Sequence, residues 1–461
     1  MTGDHPVVPD LDTTGKTDKP VRSLMIVSGD HSGEKHASKI IRELKERDPD
    51  LQIWGVGGSE MEKAGMELLF NSADYTVVGI FEVKDYVWFF AKMHWTLLAN
   101  VIKRDPDAIL LVDFGGFNVG FAQSVRSIMP VVPGDTTNID DDHSLAALVC
   151  KPKDYLQKWF DALVRYLGFK YYLKWQGLRK SKRAVPIYYF ISPQVWASRP
   201  WRIKALKRSI TKIFTIFPFE EGVYLQKSVN ARFVGNPLLR ALPELDTIPD
   251  REAMCRSLNL DSSKPIIVVM PGSRKQEVIA HMPVVECAMK TILEIRPDTQ
   301  FVICRATDYL ATLIDASLKA SGLDQMIGKG LTILDSDRNF ELMKNCDLIW
   351  AKSGTTTLET ALFGKPMIIF YMGNWFSYLL VMLFKSVKNF GWPNLLAGHQ
   401  LVPELIQLDC RGEMFVKYTL DMLDVPGLRQ EITSELLTLR AELGQGDFVE
   451  NCAEELLQVV H

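Results

Sequence analysis

Short apolar runs alternate with amphipathic stretches along most of the chain. Each run has the length of a buried strand, and the stretch after the first run, residues 36–47, has the spacing of an amphipathic helix. Strands that alternate with helices predict a parallel sheet, whose carboxyl ends gather ligand groups. In the first half of the chain the predicted strands are Arg22–Ser28, Leu51–Val56, Asp107–Val112, Ile187–Ile191 and Lys212–Phe217.

The same alternation starts again after residues 244–249. Its predicted strands are Pro265–Met270, Gln300–Cys304, Leu331–Leu334, Asp347–Ala351 and Met367–Tyr371. The sequence therefore predicts an α/β protein with two doubly wound, Rossmann-like parallel-sheet domains that face a cleft. We expect a disordered tail over 1–20, an N-terminal domain over 21–240, a C-terminal domain over 241–402 and closing helices over 403–461.

Two segments interrupt this alternation. Ile80–Asn100 is dense in aromatic residues, which suits either a core helix or a surface that meets acyl chains. In the insertion 130–183, a loose loop precedes residues 151–183, where Lys and Arg are interleaved with aromatics. That pattern is typical of a helix at a membrane interface, or of a helical insertion with solvated charges. A third stretch, Met367–Phe384, is uncharged, but its Gly373-Asn374 favours strand, turn and helix over a membrane span.

Composition and charge exclude several classes of protein. The formal net charge of −3 argues against a nucleic-acid-binding protein that relies on overall positive charge. The seven cysteines are scattered without CxxC spacing, which indicates reduced, buried thiols in a cytosolic protein. The eight histidines form no HxxxH or HxH pair, so the sequence does not support a metal site. No cofactor is expected. The polar first 20 residues lack the apolar core of a signal peptide.

The stretch Ala351–Pro366, AKSGTTTLETALFGKP, carries the first candidate chemistry. A turn rich in hydroxyl groups joins a strand to a helix, so Ser353, Gly354 and Thr355 expose backbone N–H groups at the positive end of the helix. Such a turn is suited to binding an anion. Glu359, one turn into the helix, is placed to accept hydrogen bonds from a ribose, which favours a nucleotide. The alternative is a helix cap at Ser353 or Thr355 with Glu359 as its capping-box partner.

Two further turns follow predicted strands. Gly272, Ser273 and Arg274 form a tight turn suited to a diphosphate, because a guanidinium binds phosphate oxygens bidentately; the alternative is a surface turn. Asp113 directly follows Asp107–Val112. There its carboxylate is placed to act as a general base that accepts a proton from an attacking hydroxyl, or else it caps a helix or forms a turn.

In this order along the chain, the motifs resemble the lipid-A-disaccharide synthase family, which are glycosyltransferases of the two-domain GT-B architecture. ISPQVWA and PNLLAG are specific to that family, whereas SGTxxLE and PGSR are less so. The similar stretches are SGDHSGE (28–34), GVGGSEMEKAGMELLF (55–70), VVGIFEV (77–83), VDFGGFN (112–118), ISPQVWASRPWR (191–202), FPFE (217–220), FVGNPL (233–238), PGSRKQEV (271–278), SGTTTLE (353–359) and PNLLAG (393–398).

The resemblance implies an inverting transfer between two acylated glucosamines. The donor is UDP-2,3-diacylglucosamine and the acceptor is 2,3-diacylglucosamine 1-phosphate. The products are a β-1,6-linked disaccharide 1-phosphate and UDP. The implied location is the inner face of the cytoplasmic membrane, where the protein is peripheral. The N-terminal domain is then the acceptor domain, and the C-terminal domain is the UDP-sugar domain. Whether the protein forms a homo-oligomer is left open by the sequence.

The resemblance also implies roles for single residues. Asp113 is the general base for the acceptor's 6-hydroxyl, and Arg274 binds the diphosphate. No metal is implied, because Arg274 and the helix N-terminus stabilise the leaving diphosphate electrostatically. The implied UDP-binding residues are Gly272, Ser273, Arg274, Ser353, Gly354, Thr355, Glu359 and Asn394, and the implied acceptor-binding residues are Ser32, Gly33 and Glu34.

The departures from the family pattern cluster in the N-terminal half. Where the family has DAPDFN, residues 113–118 read DFGGFN, with Gly116 in place of the second aspartate. The usual E-x-SGD appears as residues 30–34, DHSGE. These changes affect the acceptor side more than the UDP side. They leave two alternatives: a GT-B transferase with a different lipid or glycan acceptor, and a UDP-sugar-binding protein without activity.

Overall fold

The computed structural model describes residues 22–29, 31–72, 83–129, 183–197, 202–373 and 389–460. The predicted tail, nearly all of the insertion 130–183 and the latter part of Met367–Phe384 lie outside these ranges. The predictions for the tail and for the basic aromatic segment therefore stay predictions. Among the residues described, no helix has both the length and the apolar character needed to cross a membrane.

Seven strands form the first sheet, in the order β3-β2-β1-β4-β5-β6-β7. The pairs β1–β2, β1–β4, β2–β3 and β6–β7 are parallel. Strands β1 and β4 are buried along their whole length, as expected of apolar runs inside a parallel sheet. The bounds are β1 Ser23–Ser28, β2 Gln52–Gly57, β3 Glu67–Asn71, β4 Ala108–Val112, β5 Ile187–Phe190, β6 Lys212–Thr215 and β7 Ala231–Phe233.

Six parallel strands form the second sheet, in the order β10-β9-β8-β11-β12-β13. Its centre is β8 beside β11, where Met270 pairs with Ala351. The loops that follow these two strands therefore leave the sheet side by side at its carboxyl edge. The bounds are β8 Ile266–Met270, β9 Gln300–Arg305, β10 Leu331–Asp335, β11 Leu348–Lys352, β12 Met367–Tyr371 and β13 Glu404–Ile406.

Helices connect the strands. The α-helices are α1 His31–Arg47, α2 Ser59–Lys63, α3 Val83–Arg104, α4 Gly115–Ile128, α5 Arg202–Ser209, α6 Pro218–Leu225, α7 Pro237–Ala241, α8 Arg251–Leu258, α9 Lys275–Ile295, α10 Ala311–Ser321, α11 Asn339–Asn345, α12 Thr355–Leu362, α13 Trp392–Ala397, α14 Gly412–Asp424, α15 Leu428–Leu443 and α16 Phe448–Val460. Short 3₁₀ turns are Leu245–Thr247, Asp308–Leu310, Leu323–Met326, Ser336–Arg338 and Gln407–Asp409.

The chain divides into two compact units. One contains the residues up to Tyr188 and those from Ala453 on, and the other contains Tyr189–Cys452. The second unit is built on an aromatic core in which Trp350 contacts Phe301 and Phe415 and donates a hydrogen bond of 3.1 Å to Thr419. Burying each such ring stabilises the fold by roughly 1.5–3 kcal/mol. The predicted division at residue 240 stays a prediction.

The predicted α/β class with two parallel sheets is confirmed, and each predicted strand is present with ends that shift by at most a few residues. The prediction did not include β3, β7 and β13, which are short edge strands of mixed polarity. The prediction of buried thiols is wrong for Cys287, which is exposed. The other described cysteines are buried and free, namely Cys255, Cys304, Cys346, Cys410 and Cys452.

Candidate functional site

A pocket of about 250 Å³ lies at the carboxyl edge of the second sheet. The loops after β8 and β11 form its walls, since those strands are neighbours. The structure thus brings together two turns that are about 80 residues apart in the sequence. The predicted UDP-binding residues that line the pocket are Gly272, Ser273, Arg274, Gly354 and Thr355.

The turn after β8 is shaped around a buried carboxylate. Glu277, in the first turn of α9, accepts hydrogen bonds from the backbone N–H groups of Ser273 at 3.2 Å and Arg274 at 3.3 Å. Gly272 has a φ of +127°, and an added Cβ would lie 2.8 Å from Glu277 Oε2. Glycine is therefore required at 272 both for the backbone conformation and for this close approach.

His281 holds the same turn through a hydrogen bond to the backbone of Pro271. Its ring is fully buried, its Nδ1 lies 2.6 Å from the carbonyl oxygen of Pro271, and its Nε2 accepts the N–H of Met372 at 2.9 Å. Nδ1 must then carry the proton, because the carbonyl can only accept. Burial lowers the pKa of His281, against the raising effect of its hydrogen bonds and of Glu277, so the ring is neutral. It joins the turn after β8 to the end of β12.

The turn after β11 differs from the capping alternative. Gly354 is the N-cap of α12 and no side chain caps the helix, so the predicted capping box of Ser353 or Thr355 with Glu359 is not formed. Thr357 instead donates to the carbonyl oxygen of Gly354 at 2.8 Å. Glu359 is half-buried and, among the described residues, its carboxylate has no hydrogen-bond or ion-pair partner. Burial raises the pKa of Glu359.

Several residues that line the pocket were not predicted from the sequence. Lys352 is the last residue of β11, and its Nζ lies 2.9 Å from Glu277 Oε1. Asn339 begins α11, and its Oδ1 is buried without a partner in the described part of the chain. Cys304 also lines the pocket, and burial raises the pKa of its thiol. The position of Lys352 directly before the SGTTTLE turn was the available signal for it.

Asn394 does not line this pocket. It is fully buried, and its amide nitrogen donates to the carbonyl oxygen of Val402 and to Glu404 Oε1, both at 2.8 Å. Its Oδ1 accepts the N–H groups of Leu401 and Val402, also at 2.8 Å. With all four bonds used inside the protein, this side chain holds the PNLLAG helix in place. Direct contact with UDP stays a prediction that this geometry does not favour.

Asp113 lies at the carboxyl end of β4 in a strained backbone conformation. Both Asp113 and Phe114 have left-handed φ angles, of 46° and 52°. Such a pair of non-glycine residues is costly and is typical of functional sites. Asn118 stabilises the turn, because its fully buried amide donates to the Asp113 carbonyl oxygen at 2.9 Å. The same amide lies 3.3 Å from the carbonyl oxygen of Val112 and 3.4 Å from that of Val27.

The loop after β1 lies beside this turn, since Ser28 pairs with Val112. Of the predicted acceptor residues that follow it, Ser32 is exposed and Gly33 is buried. Glu34 is 6% exposed and accepts the N–H of Glu60 at 2.9 Å, which caps α2. The structure therefore gives Glu34 a structural hydrogen bond, while contact of these three residues with an acceptor stays a prediction.

Half-buried phenylalanine rings surround the same turn. Phe114 stacks on Phe117 with 5.2 Å between ring centroids, and Phe90 of α3 lies about 6 Å from both. An added Cβ on Gly29 would lie 2.3 Å from the Phe114 ring, so this packing requires glycine at position 29. Helix α3 also has a buried face that includes Leu97. The described part of the aromatic segment 80–100 is thus a core helix with aromatic rings at its margin.

The family-specific stretches meet in a second aromatic cluster. Phe217 stacks on Trp392 at 4.4 Å, and Trp196 packs edge-on against Phe219 at 4.8 Å. Leu358 of α12 packs in the same hydrophobic cluster as Phe217. ISPQVWA, FPFE and the PNLLAG helix therefore support α12, and with it the turn that lines the pocket.

The sequence profile described as lipid-A-disaccharide synthetase matches residues 24–132 and 157–446. The chain belongs to the lipid-A-disaccharide synthetase family. This membership confirms the predicted enzyme class, a glycosyltransferase of lipid A biosynthesis, and the predicted reaction, condensation to the lipid A disaccharide. A different acceptor is not favoured. The match begins again at residue 157, so it covers much of the insertion.

Two curated relatives are similar over nearly their whole length. Lipid-A-disaccharide synthase of Geobacter sulfurreducens is 29% identical over 445 residues, which cover 96% of this chain and 99% of the relative. Lipid-A-disaccharide synthase 1 of Legionella pneumophila strain Philadelphia 1 is 29% identical over 420 residues, which cover 91% and 93%. The similarity therefore includes both sheets and both sets of turns.

Solved structures share the fold at low identity. The UDP-GlcNAc 2-epimerase of Neisseria meningitidis, bound to UDP-GlcNAc, aligns with a TM-score of 0.51 and 11% identity, covering 95% of this chain and 100% of the epimerase. The glycotransferase of kitacinnamycin aligns with a TM-score of 0.50 and 13% identity, covering 96% and 100%. These likenesses confirm the predicted GT-B-like fold alone.

Proposed function

We propose that the enzyme condenses UDP-2,3-diacylglucosamine with 2,3-diacylglucosamine 1-phosphate by direct inversion, with the UDP of the donor in the pocket of the second sheet. The observation that carries this proposal is the meeting of the PGSR and SGTTTLE turns around one pocket. Exposed backbone donors, hydroxyl groups and an arginine are the groups that bind a diphosphate.

The pocket and the helix that follows its second turn offer separate groups to the parts of UDP. Arg274, with its side chain 81% exposed and its guanidinium 3.8 Å from Glu277, lies where it can bind the diphosphate. Gly354 and Thr355 present the N-terminus of α12 to the same charge. The unpartnered carboxylate of Glu359 accepts hydrogen bonds from the ribose hydroxyls. Ribose binding then supplies the hydrogen bonds that the half-buried carboxylate lacks within the described residues.

Asp113 is the proposed general base. It accepts the proton of the acceptor's 6-hydroxyl while that oxygen attacks the anomeric carbon of the donor sugar. The bond from the anomeric carbon to the phosphate oxygen breaks, and its electron pair leaves with UDP. Arg274 and the N-terminus of α12 stabilise the charge that develops on the diphosphate. The bond between Asn118 and the Asp113 carbonyl supports this role, because it holds the strained turn in one conformation.

The rings of Phe90, Phe114 and Phe117 are proposed to contact acyl chains of the acceptor. They are half-buried, adjacent to Asp113 and packed on one another, so they form an apolar margin beside the proposed base. Acylated substrates reside in a membrane. We therefore extend the proposal to peripheral binding at the inner face of the cytoplasmic membrane. Sedimentation of the full chain with anionic lipid vesicles tests the membrane binding.

Release of UDP that depends on the acceptor tests the proposed function. The purified enzyme is incubated with UDP-2,3-diacylglucosamine, with and without 2,3-diacylglucosamine 1-phosphate, and both UDP and the disaccharide are quantified. We expect equal amounts of the two products and a β-1,6 linkage by NMR. UDP release that does not depend on this acceptor, or a retained α-configuration, would contradict the proposal.

A further inference from the structure

A lysine lies between the two turns of the pocket and has no part in the reaction described above. Lys352 ends β11, lines the pocket and has its side chain 20% exposed. Its Nζ lies 2.9 Å from Glu277, which belongs to the turn after β8. A Cβ added to Gly354 would lie 3.6 Å from the same nitrogen, so the amine also lies at the N-terminus of α12.

The ammonium group has hydrogen-bonding capacity to spare. A lysine carries three N–H donors. Within the described ranges, the carboxylate of Glu277 is the one group that accepts a hydrogen bond from the Lys352 ammonium. The ring centroid of Tyr371 lies 5.8 Å from Nζ. The remaining donors are available to a ligand in the pocket that Lys352 lines.

Lys352 compensates the negative charge of Glu277 in the pocket. Burial alone would raise the pKa of Glu277, but the hydrogen bond and charge of Lys352, with the N–H groups of Ser273 and Arg274, lower it. Glu277 is therefore ionised beside the proposed diphosphate site, where an uncompensated carboxylate would repel the ligand. Arg274 offsets it less, because its guanidinium is 3.8 Å from Glu277 and is mostly exposed.

We propose that Lys352 binds the diphosphate of the nucleotide directly, with Glu277 as the positioning residue that holds its amine in the pocket. The inference rests on the proposed function, since it assigns a further ligand contact at the same UDP site. A point charge on a flexible stem suits this task, because it can bind the phosphate while it keeps its bond to the carboxylate.

Calorimetric titration with UDP and NMR titration with uridine test the inference. In Lys352→Met and Lys352→Gln we expect the affinity for UDP to fall at least about tenfold, which is the loss of one charge-assisted hydrogen bond. The affinity for uridine should stay within about twofold of the wild type, which also shows that the pocket is folded. Lys319→Met removes an exposed lysine of α10 and is the matched control, with wild-type affinity for both ligands. UDP affinity unchanged in both Lys352 variants would overturn the inference.

The double variant Glu277→Gln/Lys352→Met separates direct binding from simple neutralisation. If Lys352 contacts the phosphate, UDP binding stays weak after the opposing carboxylate is removed. Recovery of wild-type affinity in the double variant would overturn direct binding. Wild-type enzyme that binds no UDP would overturn the proposed function together with this inference, whereas wild-type binding without any effect of Lys352 would overturn this inference alone.

Discussion

The stability of the protein should fall as the pH rises through the titration range of one buried carboxyl, Glu220. This residue of α6 is 4% exposed. It accepts hydrogen bonds from Trp196 Nε1 at 2.8 Å and from the backbone N–H groups of Ile216 and Phe217 at 3.3 Å. Burial raises the pKa of Glu220 from 4.5 to about 7, and the three donors offset only part of that effect.

The sign follows from the proton count of each state. Between pH 4.5 and about 7 the folded protein keeps the proton on Glu220 while the unfolded chain has lost it. The stabilising contribution is therefore complete below the unfolded pKa and is lost as the pH rises to the folded pKa. A shift of this size corresponds to roughly 3 kcal/mol in total, most of which is lost between pH 5 and pH 8.

Urea unfolding of the wild type and of Glu220→Gln at pH 5 and pH 8 measures this contribution. The glutamine amide keeps the volume of the glutamate side chain but cannot ionise. The contributions of all other titrating groups to the pH dependence therefore cancel when the two proteins are compared. We expect the wild type to lose roughly 2–3 kcal/mol more than the variant between the two pH values. Glu221→Gln, the neighbouring position on α6, controls for the removal of a carboxylate. An equal loss in wild type and Glu220→Gln would refute the reasoning.

Three further predictions concern the proposed sites. Asp113→Asn should lower kcat by about 10²–10⁴-fold, because the amide cannot accept the proton, while UDP affinity stays unchanged in calorimetry; weaker UDP binding would contradict the general-base role. Arg274→Ala should weaken UDP binding about tenfold through loss of charge-assisted hydrogen bonds, and unchanged affinity would remove this contact from the proposal. Gly29→Ala should reduce turnover, because its methyl group displaces the Phe114 ring beside Asp113. Gly116→Ala, where an added Cβ meets no atom within 4 Å, should keep wild-type turnover, and equal rates for both variants would show that this packing is not needed.

Much of the fold follows from local pattern, because the central strands are continuous apolar runs. Leu348–Lys352 and Ile266–Met270 are identifiable from sequence since both faces of these strands are buried. The three-residue strand Glu404–Ile406 lies at the edge and carries a carboxylate, so no local pattern marks it. The order of the strands, which decides which loops become neighbours, is a property of the assembled sheet. It brings residues 272–274 and 354–356 to one pocket.

The pocket residues were likewise predictable only where a local pattern marked them. Turn chemistry predicted Arg274 and Gly354 as anion-binding residues, because both follow a buried strand in a turn suited to an anion, and both line the pocket. It did not identify Glu277 and Lys352, which matter only because two separate turns meet. In the sequence, Glu277 is an ordinary helix residue and Lys352 the end of a strand. Their ion pair of 2.9 Å exists only in the folded chain.

The family-specific motifs carry a different kind of information from the pocket residues. Asn394 lies within PNLLAG, yet its amide is used entirely by the backbone of residues 401 and 402 and by Glu404. Trp196, within ISPQVWA, donates to Glu220 instead of lining the pocket. Both motifs support α12, and through it the turn that begins at Ser353. A substitution at Asn394 would therefore act on UDP affinity through the position of α12, and its effect should be accompanied by lower thermal stability. For Arg274 the two effects should separate, because its guanidinium is mostly exposed and forms no part of the core.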